Sequence, residues 1–374
     1  MDSSPSFTRT EEQIMLARTV RELLETHSDP DDIREMSLTL DAFDRDTWRN
    51  LAEMGVIGLH VPEVYGGAGY GFVEMAVVFE ELGRRVTPVP LVSSFVASTA
   101  ILAAATEEQR SSLLPSVASG DVVATLAVFE DAHGQPGDSM TTTATRRDGG
   151  WVLTGSKRFV TDAPVADLFI VAANVDGGVG LFAVSVDNEG VSVEPVPSLD
   201  GTRPLGTVTL SAAPLGTDAY LGGQPSPNAI REALDAGVVA LAQEQVGGAQ
   251  RCLEMSVEYA QSRYQFGRAI GSFQAIKHMC ANMLVAVEHA KSVAWHAARS
   301  LDDPEEALIA VPLAKSVCSD AYLLVAGDAI QIHGGIGFTW EHDAHLYFKR
   351  AKSTSLLFGS LGAYRDRLGD ALGA

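Results

Sequence analysis

The sequence predicts an α+β protein with an N-terminal α-helical domain, a middle antiparallel β domain and a C-terminal helical bundle. The chain has 374 residues, which is enough for two or three domains, and its 46% hydrophobic content can fill a core. The period of the apolar residues also changes twice along the chain. Because strands and helices do not alternate, a doubly wound α/β fold is disfavoured.

The first block, residues 1–120, contains several stretches with apolar residues at three- and four-residue spacing, such as EEQIMLARTVRELLETH. The run TEEQ at 106–109 is a capping-box pattern that begins the last of these helices. LVSSFVASTAILAAA is interpreted as the longest apolar region. It is broken by Ser and Thr and too short for a membrane span, so it predicts a buried helix.

The middle block, residues 121–215, has short β-branched runs such as GWVLTGSKRFV and DLFIVAA, separated by DGG, NEG and DG turns. This pattern predicts an antiparallel β meander. In the last block, residues 227–374, the helical period returns, with one long helix expected over residues 228–262.

The composition limits the classes of partner. A net charge of −21 argues against nucleic acid and against anionic membrane surfaces. Cys252, Cys280 and Cys318 form no C-x-x-C pair, which disfavours disulfides and zinc and fits a reducing compartment. His342 and His345 share a helical face, but no third metal-ligand motif accompanies them. The N-terminus is polar and acidic rather than a signal peptide, so we expect a cytoplasmic protein without a metal site.

Two motifs carry most of the chemical information. In RYQFGRAIGSFQAIKH, from Arg263 to His278, an Arg and an aromatic residue end one helix, and Gln274 begins the next, facing inward. Guanidinium groups and glycine amides suit a pyrophosphate, although an αα-hairpin with a salt bridge is an alternative. In QIHGGIGFTWEHDAHLYFKRAK, from Gln331, the glycines open a loop where a backbone can approach a ligand, or simply cap a helix.

Together, these motifs behind a β domain resemble the acyl-CoA dehydrogenase family. VPEVYGGAGYG followed by FEELGR, and GWVLTGSKRFVTDAPVADLFIVAA, are also similar to that family, so the resemblance covers about residues 10–365. It implies a flavoenzyme whose C-terminal domain is a four-helix bundle, and usually a tetramer. The implied reaction is α,β-dehydrogenation of an acyl-CoA, in which a carboxylate removes the α-proton and flavin takes the β-hydride. Electrons then pass to an electron-transfer flavoprotein or a similar acceptor.

The resemblance also assigns residues to FAD. The positions that hold the pyrophosphate and adenine half of a neighbouring subunit's FAD correspond to Arg263, Phe266, Gln274, Gln331, Gly334 and Gly335. The segment beneath the isoalloxazine ring corresponds to Phe159, Val160 and Thr161. The Gly-Thr pair that follows the base corresponds to Gly359 and Ser360.

The base itself is missing from both positions that the family uses. Phe358 stands where many relatives carry Glu, and Gly237 stands at the alternative position on the long helix. Val238 replaces an Arg that relatives often carry, whereas Asp235 is retained near the thioester region. In the β domain Phe129 replaces a Thr, and the following Gly-Ser-Asp is only loosely echoed by residues 137–139.

Three interpretations follow. The favoured one is the base-lacking partner subunit of a heteromeric enzyme, similar to actinobacterial dehydrogenases that act on steroid-derived CoA thioesters. The second is a self-sufficient homotetramer with a displaced base, for which Asp235 and Glu244 are weak candidates. The third is a lyase of the desulfinase type, with Arg84 and Arg85 holding a small anionic acyl group. The sequence does not identify the acyl group.

Overall fold

A computed structural model describes residues 9–131, 140–147 and 149–373. These residues form two compact units. The first comprises Met1–Arg34, Phe72–Thr87 and Val238–Ala374, and the second comprises Glu35–Gly71 and Pro88–Gly237. The helices of the predicted N-terminal block are therefore divided between the two units.

The helices and strands follow the predicted order of helical, β and helical blocks. The helices are α1 (Glu11–His27), α2 (Pro30–Met36), α3 (Arg45–Glu53), α4 (Phe72–Arg85), α5 (Leu91–Ala104), α6 (Glu107–Ala118), α7 (Pro227–Ser262), α8 (Gln274–Ser300), α9 (Pro304–His333), α10 (Ala344–Leu356) and α11 (Leu361–Leu372). The strands are β1 (Ala124–Ala127), β2 (Thr143–Arg147), β3 (Gly150–Thr161), β4 (Leu168–Val175), β5 (Gly178–Ser185), β6 (Val191–Val196), β7 (Leu205–Gly216), β8 (Tyr264–Gln265) and β9 (Arg268–Ala269).

The first unit is a helical bundle in which α8, α10 and α11 pack against α9, and α1 and α8 pack against α4. Helices α4 and α7 approach so closely that only glycine fits between them. A Cβ atom on Gly83 would lie 1.9 Å from the carbonyl oxygen of Glu244, and one on Gly247 would lie 1.9 Å from that of Glu80. The EELG run therefore sets the depth of this contact.

The second unit is built on one seven-stranded sheet, in which β4 also pairs with β5 and the rest follow the order β1-β4-β2-β3-β7-β6. Most pairs are antiparallel, as the turn pattern predicts. The exceptions are β1 and the end of β2, which both run parallel to β4. Helix α5 packs against β1 and β4 and is buried from Leu91 to Ile101, which confirms the predicted buried helix.

Two further local predictions are confirmed and one is wrong. The capping box is confirmed, because the Thr106 side chain accepts from the N–H of Gln109 and the Gln109 side chain returns the bond. The long helix over residues 228–262 is confirmed as α7. The prediction that α5 is the longest apolar region is wrong. Residues Pro304–Phe338 are long and apolar enough to cross a membrane, but 61% of that apolar stretch is buried among the described residues, as in a core helix.

Replacing Gly83 with Ala should lower the free energy of unfolding by about 3 kcal/mol, because the methyl group would overlap the α7 backbone and neither helix can yield cheaply. Thermal unfolding of the purified protein measures the effect. Gly369→Ala is the matched control, since a Cβ atom there meets nothing within 4 Å. Equal melting temperatures for the two variants would contradict the close packing of α4 and α7.

Candidate active site

The first predicted motif forms a tight hairpin after α7. Strands β8 and β9 pair antiparallel, and the two residues between them, Phe266 and Gly267, have φ of 53° and 78°. Positive φ at both central positions is the geometry of a type I′ turn and is strained for a residue as large as Phe. The ring of Phe266 is 91% exposed and has one edge contact, with Phe273 at 6.2 Å between centroids. The Arg263 side chain is exposed, with no partner among the described residues.

The second motif forms the end of α9. Gly334, with φ of 61°, donates its N–H to the carbonyl of Gln331 and ends the helix. A Cβ atom on Gly334 or Gly335 would meet nothing within 4 Å, so the backbone is open there. The rings of Tyr259 and His333 lie 4.6 Å apart and join the last turns of α7 and α9. The structure therefore brings the two motifs together.

These motifs fit the pyrophosphate and adenine half of FAD. The guanidinium of Arg263 can pair with phosphate oxygens, and the exposed ring of Phe266 can stack on a flat base. Gln274 differs from its expected inward orientation. It is the first residue of α8 and is exposed in this chain, which leaves its amide available to a group outside the chain.

The predicted isoalloxazine segment lies at the end of β3. A β-bulge separates Lys157 from Val160, and Phe159 there has φ of 54°. Val160 and Thr161 are buried, and the carbonyl of Thr161 accepts a hydrogen bond of 2.7 Å from the hydroxyl of Thr125. The carboxylate of Asp162, the next residue, accepts a hydrogen bond from the hydroxyl of Ser93 on α5. A bulged strand end fixed on both sides can re-aim side chains toward a ligand.

Phe129, one of the departures from the family, lies beside this segment. Its carbonyl accepts a 2.8 Å hydrogen bond from the N–H of Arg158. The adjacent Glu130 accepts from Lys157 Nζ at 2.7 Å and from the backbone N–H of Thr142 at 2.9 Å. Burial would raise the pKa of Glu130, but these hydrogen bonds outweigh it and hold the pKa at about 2. The predicted residues Gly137, Asp138 and Ser139 lie outside the described residues.

The tract that carries the usual base is a turn between α10 and α11. Phe358 is 9% exposed with φ of 59°, and Gly359 follows with φ of 118°. The hydroxyl of Tyr364 donates to the carbonyl of Phe358 at 3.1 Å, and the Ser360 side chain caps α11. The residue predicted to stand at the base position is therefore a nearly buried hydrocarbon ring in a turn between two helices.

Glu244 has a different role from the one considered for it. Its carboxylate accepts a hydrogen bond from the guanidinium of Arg350, and the two side chains are only 3% and 1% exposed. A buried carboxylate needs such a partner, so Glu244 is committed to the α7–α10 contact. Asp235 is also buried on α7, two residues before Gly237.

Sequence reasoning missed a set of polar groups behind the Phe358 turn. The amide of Gln245 donates to the hydroxyls of Thr354 at 3.0 Å and Ser319 at 3.2 Å. Lys315 Nζ donates to the carbonyls of Leu357 at 2.7 Å and Thr354 at 3.1 Å, and burial lowers the pKa of Lys315 to about 7. The available signal was a single cation in the apolar run ALIAVPLAKSV of α9.

The two arginines considered for an anionic acyl group both contact other groups of the chain. Arg84 donates two hydrogen bonds to the carboxylate of Glu254, at 3.0 and 2.7 Å. Arg85 contacts the carbonyl of Glu25 at 3.5 Å. Within the described ranges no cluster of His, Cys, Asp or Glu could hold a metal ion.

Replacing Lys315 with Met should change how stability depends on pH. In the unfolded chain Lys keeps its proton up to its ordinary pKa of 10.5, whereas folded Lys315 loses it near pH 7. Between pH 7 and pH 10.5 the unfolded state binds more protons than the folded state, so Lys315 makes the wild type more stable as pH rises. Below pH 7 both states hold the proton, and the free-energy cost of burying Lys315 is constant.

Urea unfolding at pH 6, 7, 8 and 9 measures this dependence. Above pH 7 the unfolding free energy of the wild type should rise relative to that of Lys315→Met by up to about 1.4 kcal/mol per pH unit. A difference that stays constant from pH 6 to 9 would contradict the lowered pKa.

Family models match nearly the whole chain. Residues 10–121, 125–213 and 228–373 match the family models "Acyl-CoA dehydrogenase, N-terminal domain", "middle domain" and "C-terminal domain". The acyl-CoA dehydrogenase IpdE2 of Mycobacterium tuberculosis is 34% identical over 94% of this chain and 95% of its own length.

Solved structures give the same result. The ChsE4–ChsE5 complex of Mycobacterium tuberculosis matches with a TM-score of 0.90 and 30% identity, over 98% of this chain and 99% of that one. The Tcur3481–Tcur3483 steroid ACAD matches with a TM-score of 0.88 and 33% identity, over 97% of this chain and 98% of that one. The chain therefore belongs to the acyl-CoA dehydrogenase family, a family of flavoprotein oxidoreductases that act on CH–CH bonds.

Proposed function

We propose that this chain is the base-lacking subunit of a heteromeric, FAD-dependent acyl-CoA dehydrogenase, and that a paralogous subunit supplies the carboxylate. The observation that carries the proposal is the buried ring of Phe358 at the predicted base position, while Arg263, Phe266 and Gln331 are exposed and could contact a neighbouring subunit. The other base position, on α7, is Gly237. The asymmetry favours a chain that completes another subunit's site.

Removal of the α-proton is the step that this chain cannot assist by itself. General base catalysis contributes roughly 10²–10⁴-fold to a rate. A phenyl ring cannot accept a proton, and Glu244 is held by Arg350 inside the helical unit. Dehydrogenation by the isolated chain should therefore be nearly absent.

FAD, when bound, would supply the acceptor for the β-hydride. This chain would hold the pyrophosphate with Arg263, stack Phe266 on the adenine and approach it with the open backbone at Gly334 and Gly335. The segment Phe159–Thr161 would support an isoalloxazine ring, and Gly359 and Ser360 would contact the ribityl–adenine side of a flavin.

The relatives favour a particular kind of partner and substrate. ChsE4–ChsE5 is a complex of two different chains, and the second related structure is a steroid ACAD. We therefore assign to this chain a CoA thioester with a steroid-derived acyl group, a paralogous partner in a tetramer, and an electron-transfer flavoprotein or similar acceptor. A cytoplasmic location fits these partners.

Substituting Phe358 with Glu should give the isolated chain an activity that it lacks. A carboxylate at this position of the turn could act as the general base, so reduction of bound flavin by an acyl-CoA should accelerate at least about 100-fold. Anaerobic bleaching of the flavin absorbance with short-chain, long-chain and steroid-derived acyl-CoA measures it.

Leu356→Glu is the matched control, because it adds the same charge two residues away at an exposed site. It should leave the isolated chain inactive. The partner-subunit proposal fails if the wild-type chain alone reduces its flavin as fast as Phe358→Glu does. Loss of that activity in Asp235→Asn would then identify a displaced base in a homotetramer.

Substituting Arg263 with Ala should lower the flavin content of the complex formed by co-expression with a base-bearing paralogue. The guanidinium is the group that this chain offers to the pyrophosphate, so its loss should weaken FAD binding at least about tenfold. The ratio of flavin to protein absorbance after purification measures it. Arg18→Ala, which removes an exposed Arg from α1, is the control, and an equal flavin content in both complexes would contradict the assigned role.

A further inference from the structure

Lys315 is a buried lysine whose hydrogen-bond partners are backbone carbonyls. It lies in the middle of α9 and is 1% exposed. Its Nζ atom donates to the carbonyls of Leu357 at 2.7 Å and Thr354 at 3.1 Å. No carboxylate among the described residues pairs with it. An uncompensated buried amine is costly, so its position calls for a specific function.

The two carbonyls belong to the end of α10. The last carbonyls of an α-helix have no partner within the helix and need one from elsewhere. Helix α10 ends at Leu356, and Leu357 leaves it with an extended ψ of 148°. Because one nitrogen holds a carbonyl of the last turn and the carbonyl of Leu357, it fixes the direction in which the chain leaves the helix.

That direction matters because Phe358, the next residue, has a left-handed backbone that is strained for a bulky side chain, and the residue after it needs a φ that suits glycine. Phe358 and Gly359 have φ of 59° and 118°. A strained backbone conformation persists only where several surrounding contacts hold it in place. One constraint is the hydroxyl of Tyr364 on the carbonyl of Phe358, and a second is the Ser360 cap of α11. Lys315 supplies the constraint on the α10 side.

We propose that Lys315 is a positioning residue of the active site, which holds the turn from Leu357 to Ser360 in the conformation that presents Gly359 and Ser360 to FAD. The role in FAD binding rests on the proposed function, whereas the role in shaping the turn does not. Lys315 acts through the backbone and takes no proton from substrate, because its N–H groups are directed at carbonyl oxygens. The lowered pKa of Lys315 is consistent with this role, since a neutral amine still has two N–H groups for two acceptors.

Hydrogen–deuterium exchange of the flavin-free protein tests the role in the turn. In Lys315→Met, amides between Thr354 and Tyr364 should exchange about tenfold faster, while those of α8 stay unchanged. Lys352→Met, which removes an exposed ammonium from α10, is the control and should match the wild type. If Lys315→Met does not fold, Lys315→Gln keeps an N–H donor without charge and should give an intermediate rate. Exchange equal to that of the wild type in either variant would overturn the proposal.

FAD binding is measured separately on the co-expressed complex. Lys315→Met should raise the Kd for FAD, followed by flavin fluorescence, at least about tenfold, and Lys352→Met should leave it unchanged. Faster exchange with an unchanged Kd would overturn the link between the turn and the flavin. A wild-type complex that takes up no FAD would count against the proposed function alone, because exchange still decides the role of Lys315 in the turn.

Discussion

The helical unit depends on the buried ion pair between Glu244 and Arg350. Both side chains are almost inaccessible to solvent, and each needs the other, because removing one partner would leave an unpaired charge in a medium of low dielectric. Such a pair tolerates little sliding, so it fixes the register of α7 against α10. Glu244 also contacts α4 with its main chain, because its carbonyl leaves no room for a side chain at Gly83. One residue thus aligns three helices.

This arrangement also ties the carboxylate of Glu244 to a guanidinium group. Other buried polar groups of the unit also connect its elements: Gln245 donates to Thr354, and Lys315 donates to carbonyls at the end of α10. The β8–β9 hairpin and the end of α9 instead expose an arginine, an aromatic ring and open glycine backbone. Under the proposed function, support for a neighbouring subunit's cofactor and the chemistry at the thioester would be separate properties of one helical scaffold.

The parts that sequence could predict are those decided locally. The capping box at Thr106, the long α7 and the buried α5 follow from patterns within one element, and all three are present. The roles of Arg350 and Lys315 could not be predicted, because the Glu244–Arg350 contact joins residues 106 positions apart and nothing in either neighbourhood identifies the other. The orientation of Gln274 and the parallel pairing of β1 with β4 depend on the packing of whole elements rather than on local preference.

The left-handed backbone at Phe358 separates the shape of the turn from the identity of its side chain. A bulky side chain pays a conformational penalty there, and the turn keeps its shape because neighbouring residues hold its carbonyls. The shape of the turn is therefore set by its surroundings rather than by the side chain at its apex. A substitution at position 358 can accordingly change the chemistry that the turn presents while its backbone keeps the same path.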